Sequence, residues 1–371
     1  MQAMAGASKG GAEGFFARLS QAFAQLDPAE GVRQKVLMRG DEHRTATLQD
    51  AGVDLVETRF GGRADFASRR LFRRQIREFQ PHIVLTWMNR ATMFCPRSGA
   101  KGSPGQNGNF VHVARLGGYY DLKYYRHCDH LIGNTPDIVG YLVGEGWPED
   151  RAHYLPNFVS TRRADPVPRD RFDTPADKPL LLALGRLHEN KAFDTLLRAM
   201  VDVPDAWLWI GGSGPLAGEL EALAADLGVS DRVRFLGWQD DVAPLFAAAD
   251  IMVCPSRIEP LGNVVLEGWA QSIPVVATRA AGPEQLIAQG ETGMLSAVDD
   301  APALASSIRQ IVENPALAAR IGEAGRAAYE AEFSRDSVVA QYLAFFDKIA
   351  DNRGEWAKGL VDNSNKLSKS G

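Results

Sequence analysis

Short apolar runs that alternate with longer amphipathic segments restrict the fold of this chain more than any other feature. The runs Leu180–Leu184 and Asp250–Cys254 are nearly continuous in apolar residues, as in strands that are buried on both faces of a parallel sheet. Each run is followed by a loop rich in Gly or Pro and then by a segment with helical periodicity. This repeated order predicts an α/β fold with doubly wound parallel sheets.

The same order runs through both halves of the chain. In the first half we predict strands and helices at Gln2–Ala5, Gly14–Leu26, Gln34–Met38, His43–Ala51, Val53–Glu57, Phe66–Phe79, His82–Trp87, Phe110–Ala114 and Leu131–Gly133. In the second half we predict them at Leu180–Leu184, Trp207–Ile210, Val233–Leu236, Val242–Ala249, Asp250–Cys254, Leu261–Gln271, Ile273–Ala277, Pro283–Gln289, Ala301–Glu313, Pro315–Glu332 and Arg335–Ile349. Residues 96–109 are too rich in Gly, Pro and Ser for regular structure, and we predict a loop there.

The chain has 371 residues, which exceeds what one hydrophobic core supports and suits two domains. Asn157–Lys178 is dense in Arg, Asp and Pro, and we expect the interdomain linker there. The predicted domains are therefore residues 1–158 and 159–334, followed by a helix at 335–350 and a polar tail at 351–371.

The composition and charge of the chain indicate its cellular location and its class of partner. No apolar run reaches 18 residues, no signal-peptide pattern is visible, and the three cysteines are far apart, so we expect a cytoplasmic protein. Residues 1–160 carry 20 Lys and Arg against 16 Asp and Glu, a net charge of +4, whereas the remainder carries 21 against 30, a net charge of −9. This asymmetry predicts different partners for the two halves, and the acidic whole argues against nucleic acid as a partner.

The stretch from Ser256 to Glu267 follows an apolar run and is the strongest candidate site. Glu259 lies in the predicted strand-to-helix loop and Glu267 about two turns into the next helix. Between them, Gly262 and Asn263 mark the helix start, where free N–H groups and the positive end of the dipole favour phosphate. The two carboxylates would accept hydrogen bonds from sugar and ribose hydroxyls. The alternative is a surface loop with a capping Asn and two solvated acids.

Two cations follow the strand Leu180–Leu184. Arg186 and Lys191 lie at the end of that strand and at the start of the next helix. Cations at a helix N-terminus are unfavourable for the dipole, which favours a function over the alternative of solvated charges. They would neutralise a diphosphate leaving group.

Three further loops carry weaker signals. Gly10 and Gly11 follow the first strand and allow a ligand to approach the start of a helix closely, although a plain turn fits equally well. Gly237 and Trp238 end another strand, where their backbone would lie against the edge of a base. Arg115–Asp121 combines glycines with polar side chains at a strand end, where open α/β sheets bind ligands.

The helix Ala64–Phe79 is unusual in its charge. Phe72, Ile76 and Phe79 form one apolar stripe, and five arginines occupy the rest of its surface: Arg69, Arg70, Arg73, Arg74 and Arg77. Such a helix is suited to an anionic membrane surface. The alternative is a packed helix with a solvated arginine face.

Three features, taken in order along the chain, resemble retaining glycosyltransferase family 4. They are Gly10-Gly11, the pattern Gly-Arg-Leu-x3-Lys that ends at Lys191, and the pattern Glu-Pro-x-Gly-x4-Glu from Glu259 to Glu267. The resemblance extends to about residue 350. It implies the GT-B fold, in which two doubly wound Rossmann-like domains face a central cleft and the last helix crosses back to the first domain. Arg115–Asp121 and Gly133–Asp137 are similar to bacterial lipopolysaccharide-core transferases.

By motif match, Arg186 and Lys191 would hold the diphosphate, and Glu259 would contact the donor sugar. Glu267 would bind the ribose. The resemblance further implies that the phosphates are bound by Gly10, Gly11 and the backbone N–H groups of Gly262, Asn263 and Val264.

The resemblance also implies that the first domain binds the acceptor. Many relatives carry a histidine in a loop of that domain where this chain has Arg115–Asp121, so Arg115, Tyr119 and Asp121 are the candidates for acceptor contact.

The activity that the resemblance implies is retaining transfer of a sugar from a nucleotide-sugar to a saccharide or glycolipid acceptor. A UDP-sugar is the favoured co-substrate and GDP-mannose the alternative, and no cofactor is expected. The chain contains no Asp-x-Asp motif, in agreement with a metal-independent family. A nucleotide-sugar 2-epimerase and a non-catalytic nucleotide-sugar-binding protein remain the alternatives.

Overall fold

The computed structural model describes residues 1–7, 10–27, 32–62, 64–98, 110–159 and 164–350. The described residues form two compact units, one made of residues 1–157 and 335–350, the other of Phe158–Ser334. Each unit contains one parallel sheet with helices, so the predicted doubly wound α/β fold is confirmed. Most of the predicted loop at 96–109 and all of the predicted tail at 351–371 lie outside the described residues.

The sheet of the first unit has seven parallel strands in the order 3-2-1-4-5-6-7. The strands are β1 (Gln2–Met4), β2 (Val36–Arg39), β3 (Leu55–Thr58), β4 (Ile83–Trp87), β5 (Val111–Leu116), β6 (His130–Gly133) and β7 (Ala152–Tyr154). The helices are α1 (Gly11–Ala24), α2 (Glu42–Asp50), α3 (Phe66–Phe79), α4 (Met88–Phe94), α5 (Pro136–Gly144) and the C-terminal helix 335–350. The strand order changes direction between β1 and β4, which are adjacent.

The sheet of the second unit has six parallel strands and repeats the same order from its first strand. The strands are β8 (Leu180–Leu184), β9 (Trp207–Gly211), β10 (Val233–Gly237), β11 (Ile251–Cys254), β12 (Val275–Thr278) and β13 (Met294–Ser296). The helices are α6 (Phe193–Val201), α7 (Ala217–Asp226), α8 (Ala243–Ala248), α9 (Asn263–Ala270), α10 (Ala281–Leu286), α11 (Ala301–Val312) and α12 (Pro315–Ala328), the last continuing as a π-helical turn, Tyr329–Phe333. Among the helices described in both units, none is long and apolar enough to cross a membrane.

Several elements were not predicted, among them α4, α5, β7 and α7. The case of α4 has a clear physical reason, because the helix follows β4 without a loop. Met88 makes the turn in a left-handed conformation (φ 58°), and no side chain caps the helix at Trp87. The usual capping signal in the sequence is therefore missing. Thr92 holds the turn by donating a hydrogen bond of 2.7 Å to the Met88 carbonyl.

The placement of Arg115 in a loop was wrong. Arg115 lies inside β5, and only 1% of its surface is exposed. Its Nε donates to the Tyr342 hydroxyl at 2.8 Å, a second nitrogen donates to the Asn157 side chain, and the guanidinium stacks 4.6 Å from the centre of the Phe15 ring. The side chain thus joins the sheet to the C-terminal helix.

The apolar stripe of α3 belongs to the protein core. Phe72 and Ile76 are fully buried, and Phe72 packs edge-on against Phe60. On the other faces Arg70, Arg73, Arg74 and Arg77 are exposed, and so is Phe66 at the start of the helix. Arg69 differs from these arginines, because it lies over the Phe94 ring and donates to the Met93 carbonyl.

The contacts of Arg115 generate a prediction about stability. Replacing it with Met should lower the free energy of unfolding by about 2–4 kcal/mol, because Tyr342 and Asn157 lose a charged, buried partner. Chemical denaturation measures the change. The matched control is Arg73→Met, which alters an exposed arginine on α3 and should stay within about 0.5 kcal/mol. Equal stability of the two variants would contradict a structural role for Arg115.

Candidate functional site

The candidate site lies where the strand order of the second sheet changes direction. There β8 and β11 are hydrogen-bonded neighbours, although about 70 residues separate them in sequence. Because both strands run the same way, the loop that follows β8 and the loop that follows β11 emerge side by side. Open α/β sheets bind their ligands at such a point.

The loops that follow β8, β9 and β10 are hydrogen-bonded to one another. The Gly185 N–H donates to the Gly211 carbonyl at 3.0 Å, and the Gly212 N–H donates to the Gly237 carbonyl at 2.8 Å. Gly212 has a φ of 147°, and a Cβ there would fall 1.8 Å from the Gly185 carbonyl oxygen. Only glycine fits this close approach, so the backbone itself fixes the loop that carries Arg186.

The loop that follows β11 is attached on two sides. On one side the N–H groups of Arg257 and Ile258 both donate to the Asn190 carbonyl, at 2.8 and 3.1 Å. On the other side the Gly282 N–H donates to the Glu259 carbonyl at 2.7 Å, and a Cβ on Gly282 would collide with that same carbonyl. These bonds place Glu259 next to the β8 loop.

Lys191 and Glu259 form an ion pair at this point. The Lys191 ammonium donates to one carboxylate oxygen of Glu259, and the other oxygen accepts from the Gly262 N–H at 3.3 Å. Burial by itself would lower the pKa of Lys191, but the charge and hydrogen bond of Glu259 outweigh it, and the pKa lies above its usual value. Glu267 raises the pKa of Lys191 further by its charge, so both glutamates act on this lysine.

Arg186, the other cation of the site, differs from Lys191. Its side chain is exposed and makes no hydrogen bond or ion pair with any part of the chain that the structure describes. The site thus combines one cation neutralised by a carboxylate with one cation held only by its backbone. Together they supply positive charge for an anionic ligand at the end of β8.

Helix α9 starts beside the ion pair. Gly262 precedes it in a left-handed conformation (φ 71°) and has no side chain of its own to cap the helix. Asn263, Val264 and Glu267 are partly exposed on its first two turns. A helix start of this kind favours a phosphate group through its N–H groups and its dipole.

Trp238 follows β10, the outermost strand of the sheet beyond β9, and lies at the same C-terminal edge as the other site loops. It is 53% exposed, and its indole N–H donates to the Asp240 side chain at 2.8 Å. Gly237 has a φ of 66°, which lets the backbone turn sharply before the tryptophan. An exposed aromatic ring beside a sharp backbone turn suits contact with a planar base.

In the first unit, Gly10 and Gly11 lie at the start of α1, where β1 meets the change in strand order. The sequence did not indicate the role of Glu13, which is buried and accepts from the Ala7 N–H at 2.9 Å. A Cβ on Gly10 would fall 2.2 Å from a carboxylate oxygen of Glu13. Gly10 thus leaves room for the Glu13 carboxylate in the position where it accepts from the Ala7 N–H.

Tyr119 and Asp121 lie in the loop after β5, as predicted, but both have local partners. The Tyr119 hydroxyl donates to Asp137, and this hydrogen bond, followed by burial, raises the pKa of Tyr119 to about 12. Asp121 accepts from the Lys123 N–H at 2.8 Å and caps a short 3-10 turn. Tyr119 is still 52% exposed and remains a candidate for ligand contact, whereas Arg115 is buried beneath the loop.

Arg257 is a second residue whose importance the sequence did not show. Its side chain bonds Asp194, Asp299 and the Glu189 carbonyl, so it connects the β11 loop with three other segments. The only signal in the sequence is an arginine two residues before Glu259. Its partners lie more than 40 residues away, so spacing does not reveal them.

Within the described residues no group of three or more His, Cys, Asp or Glu side chains is arranged to hold a metal ion. In the segment His127–His130, the Nδ1 of His130 lies 3.0 Å from the Nε2 of His153, and the two rings share a hydrogen bond.

Comparison with known proteins agrees with this geometry. The family described as "Glycosyl transferases group 1" matches residues 167–328, the part of the chain that contains the ion pair. The chain is 37% identical to the lipopolysaccharide core biosynthesis glycosyltransferase LpsE of Rhizobium meliloti over 340 residues, which cover 90% of this chain and 95% of LpsE. It is 34% identical to LpsD of the same organism, over 92% of this chain and 96% of LpsD.

Among solved structures, Anabaena HepE in complex with UDP superimposes with a TM-score of 0.79 at 19% identity, covering 94% of this chain and 99% of HepE. This likeness concerns the fold, and it identifies the two parallel-sheet units as those of the GT-B class.

The ion pair generates a prediction that requires no substrate. Glu259→Gln should lower the pKa of Lys191, since the carboxylate that raises it is removed, and NMR titration of the lysine side chain measures this. Stability should fall by about 1–3 kcal/mol, because a partly buried cation loses its partner. Glu284→Gln is the control: it breaks an exposed pair with Arg279 and should change stability by less than about 0.5 kcal/mol. An unshifted Lys191 pKa in Glu259→Gln would show that the pair does not form in solution.

Proposed function

The chain belongs to the glycosyl transferases of group 1, and we propose that it moves a sugar from a nucleotide-sugar to a saccharide or glycolipid acceptor with retention at the anomeric carbon. The observation that carries the proposal is the Lys191–Glu259 pair beside the start of α9, with Arg186 on the adjacent loop. Cation, carboxylate and helix start are the three groups needed for a diphosphate and a sugar.

We assign the donor contacts by the chemistry of each group. Arg186 and Lys191 hold the diphosphate, and Glu259 accepts from the sugar hydroxyls. The start of α9 at Gly262, Asn263 and Val264 offers N–H groups to the phosphates, and Glu267 accepts from the ribose. We also retain Gly10 and Gly11 as donor contacts and assign the base to the edge formed by Gly237 and Trp238.

The proposed donor is a UDP-sugar. HepE, which shares this fold, is in complex with UDP in its crystal structure, and this supports a nucleotide-sugar as co-substrate. LpsE and LpsD are described as lipopolysaccharide core enzymes, which supports an acceptor in lipopolysaccharide core or another cell-surface glycan. We place acceptor contacts in the first unit, at the loop that carries Tyr119 and Asp121.

The bond between the anomeric carbon and the diphosphate oxygen breaks as the acceptor oxygen bonds to the same face of the sugar, through an oxocarbenium-like state. Arg186 and Lys191 neutralise the charge that develops on the leaving diphosphate, and the acceptor proton passes to that phosphate. Lys191 must then exchange its bond to Glu259 for one to phosphate. The Glu259 carboxylate then accepts from the sugar hydroxyls. The two residues of the pair thus bind the leaving group through Lys191 and the sugar through Glu259. These two cations take the role of a metal, and we propose metal-independent catalysis.

We further propose that the first unit binds an anionic membrane surface through α3. The support is the row of exposed arginines on this helix, with the exposed Phe66 at its start. Each basic side chain near an anionic leaflet adds about 1 kcal/mol of attraction. Such docking would bring the enzyme to a lipid-linked acceptor.

Turnover with defined donors tests the enzymatic proposal. Purified protein with a UDP-sugar and a lipopolysaccharide core acceptor should form an α-linked product, and EDTA should not reduce the rate. Lys191→Ala and Arg186→Ala should each lower kcat by about 10²-fold, because each removes a positive charge that stabilises the leaving diphosphate.

Product formed without acceptor, as a free epimerised sugar, would identify the 2-epimerase alternative. Binding of UDP without any turnover would identify the non-catalytic one.

Vesicle sedimentation tests the membrane proposal. Replacing Arg70, Arg73 and Arg77 with Gln should abolish sedimentation with anionic vesicles and leave UDP affinity unchanged, since these side chains are exposed and none of them is a proposed donor contact. Added salt should weaken wild-type sedimentation. Arg69 is left intact because it packs on Phe94. Wild-type protein that stays in the supernatant at low salt would exclude membrane docking by α3.

A further inference from the structure

Arg257 lies two residues before Glu259 and is bonded to more segments than any other residue of that loop that the structure describes. Its two terminal nitrogens donate to the two carboxylate oxygens of Asp194 at 2.9 and 2.7 Å, and its Nε lies 2.6 Å from Asp299. A terminal nitrogen also donates to the Glu189 carbonyl at 2.8 Å. Bidentate pairing of this kind fixes the guanidinium plane as well as its charge.

The partners of Arg257 come from different parts of the second unit. Asp194 lies in the first turn of α6, and Asp299 lies between β13 and α11 in a left-handed conformation (φ 60°). Asp299 is held in turn by the Thr195 hydroxyl, which donates to it at 3.1 Å. The hydrogen bond that Arg257 donates to Asp194, and then the charges of Asp194 and Asp299, raise the pKa of Arg257, so both carboxylates stabilise the charged guanidinium.

The third contact of Arg257 leads directly to the ion pair. Glu189 is two residues before Lys191, and the Arg257 backbone N–H donates to the carbonyl of the intervening Asn190. One residue thus holds both loops, through its side chain and its backbone. In the loop after β8, Lys191 lies two residues after Glu189. In the loop after β11, Glu259 lies two residues after Arg257.

We propose that Arg257 is a positioning residue that sets the distance between Lys191 and Glu259, and so between the groups that contact the diphosphate and the sugar. This inference rests on the proposed transferase function and deepens it. Arg257 contacts neither ligand in this scheme. It acts on the reaction only through the two loops that it connects.

A purely structural role makes a different prediction. Arg257 and its two aspartates lie at the partly exposed rim of the unit and outside its hydrophobic core. If Arg257 served only stability, its loss would reduce the folded fraction and leave kcat per folded molecule unchanged. If it sets the geometry, kcat falls in protein that remains folded, because small displacements of reacting groups are costly.

The test compares Arg257→Gln with the control Arg279→Gln, which also removes an arginine with a carboxylate partner near the site loops. Arg257→Gln should lower kcat about 10- to 100-fold, with donor KM and UDP affinity within about threefold of the wild type. Arg257→Lys should recover part of the rate, since it keeps the charge but loses the bidentate geometry. Arg279→Gln should leave kcat unchanged. An unchanged kcat in Arg257→Gln would overturn the inference.

A double-mutant cycle shows whether Arg257 acts through Glu259. In a Glu259→Gln background, Arg257→Gln should reduce kcat by less than threefold, because the group that it positions is already lost. Full additivity would overturn the inference. If Arg257→Gln does not fold, Asp299→Asn and Asp194→Asn loosen the same network more gently and should lower kcat in the same direction.

NMR titration of Lys191 provides a readout that does not depend on turnover. Loosening the pair in Arg257→Gln should bring the pKa of Lys191 down, as in Glu259→Gln but to a smaller extent. An unshifted pKa would overturn the inference. A shifted pKa in a protein without transferase turnover would support the positioning role and contradict the proposed function, so the two can fail separately.

Discussion

The candidate site depends on one ion pair between residues that are 68 positions apart. Lys191 and Glu259 can meet only because β8 and β11 are parallel neighbours whose loops leave the sheet at the same edge. The pair keeps a partly buried cation charged, and it neutralises the charge of a buried carboxylate. Both groups are thereby held ready for a ligand that offers phosphate to one and hydroxyls to the other.

Around this pair the backbone provides most of the rigidity. Gly212 lets the loop after β9 approach the loop after β8, and Gly282 lets α10 approach the loop after β11, so closely that a side chain would collide with a carbonyl. A loop held by main-chain bonds leaves its side chains available for binding. Arg186 illustrates this, since its backbone is fixed while its guanidinium is exposed.

The first unit uses related principles for a different purpose. A buried arginine at position 115 and the aromatic rings of Phe15, Phe23 and Tyr342 attach the C-terminal helix to the sheet and to α1. The basic surface of α3 stays outside this core. Arginines in this unit therefore have two separate positions. Arg115 is buried and stabilises the fold, whereas the exposed arginines of α3 face the solvent.

The sequence by itself determined the fold class, the positions of most strands and helices, and the family, because apolar periodicity and the spacing from Glu259 to Glu267 are local properties of the chain. It also placed Arg186 and Lys191 at a strand end. Only the tertiary structure decided which charged groups pair, since Lys191 and Glu259, or Arg257 and Asp194, are brought together by strand order. The same holds for Arg115, which local pattern placed in a loop and packing placed in the core. Long-range pairing depends on the topology of the sheet, which no local pattern records.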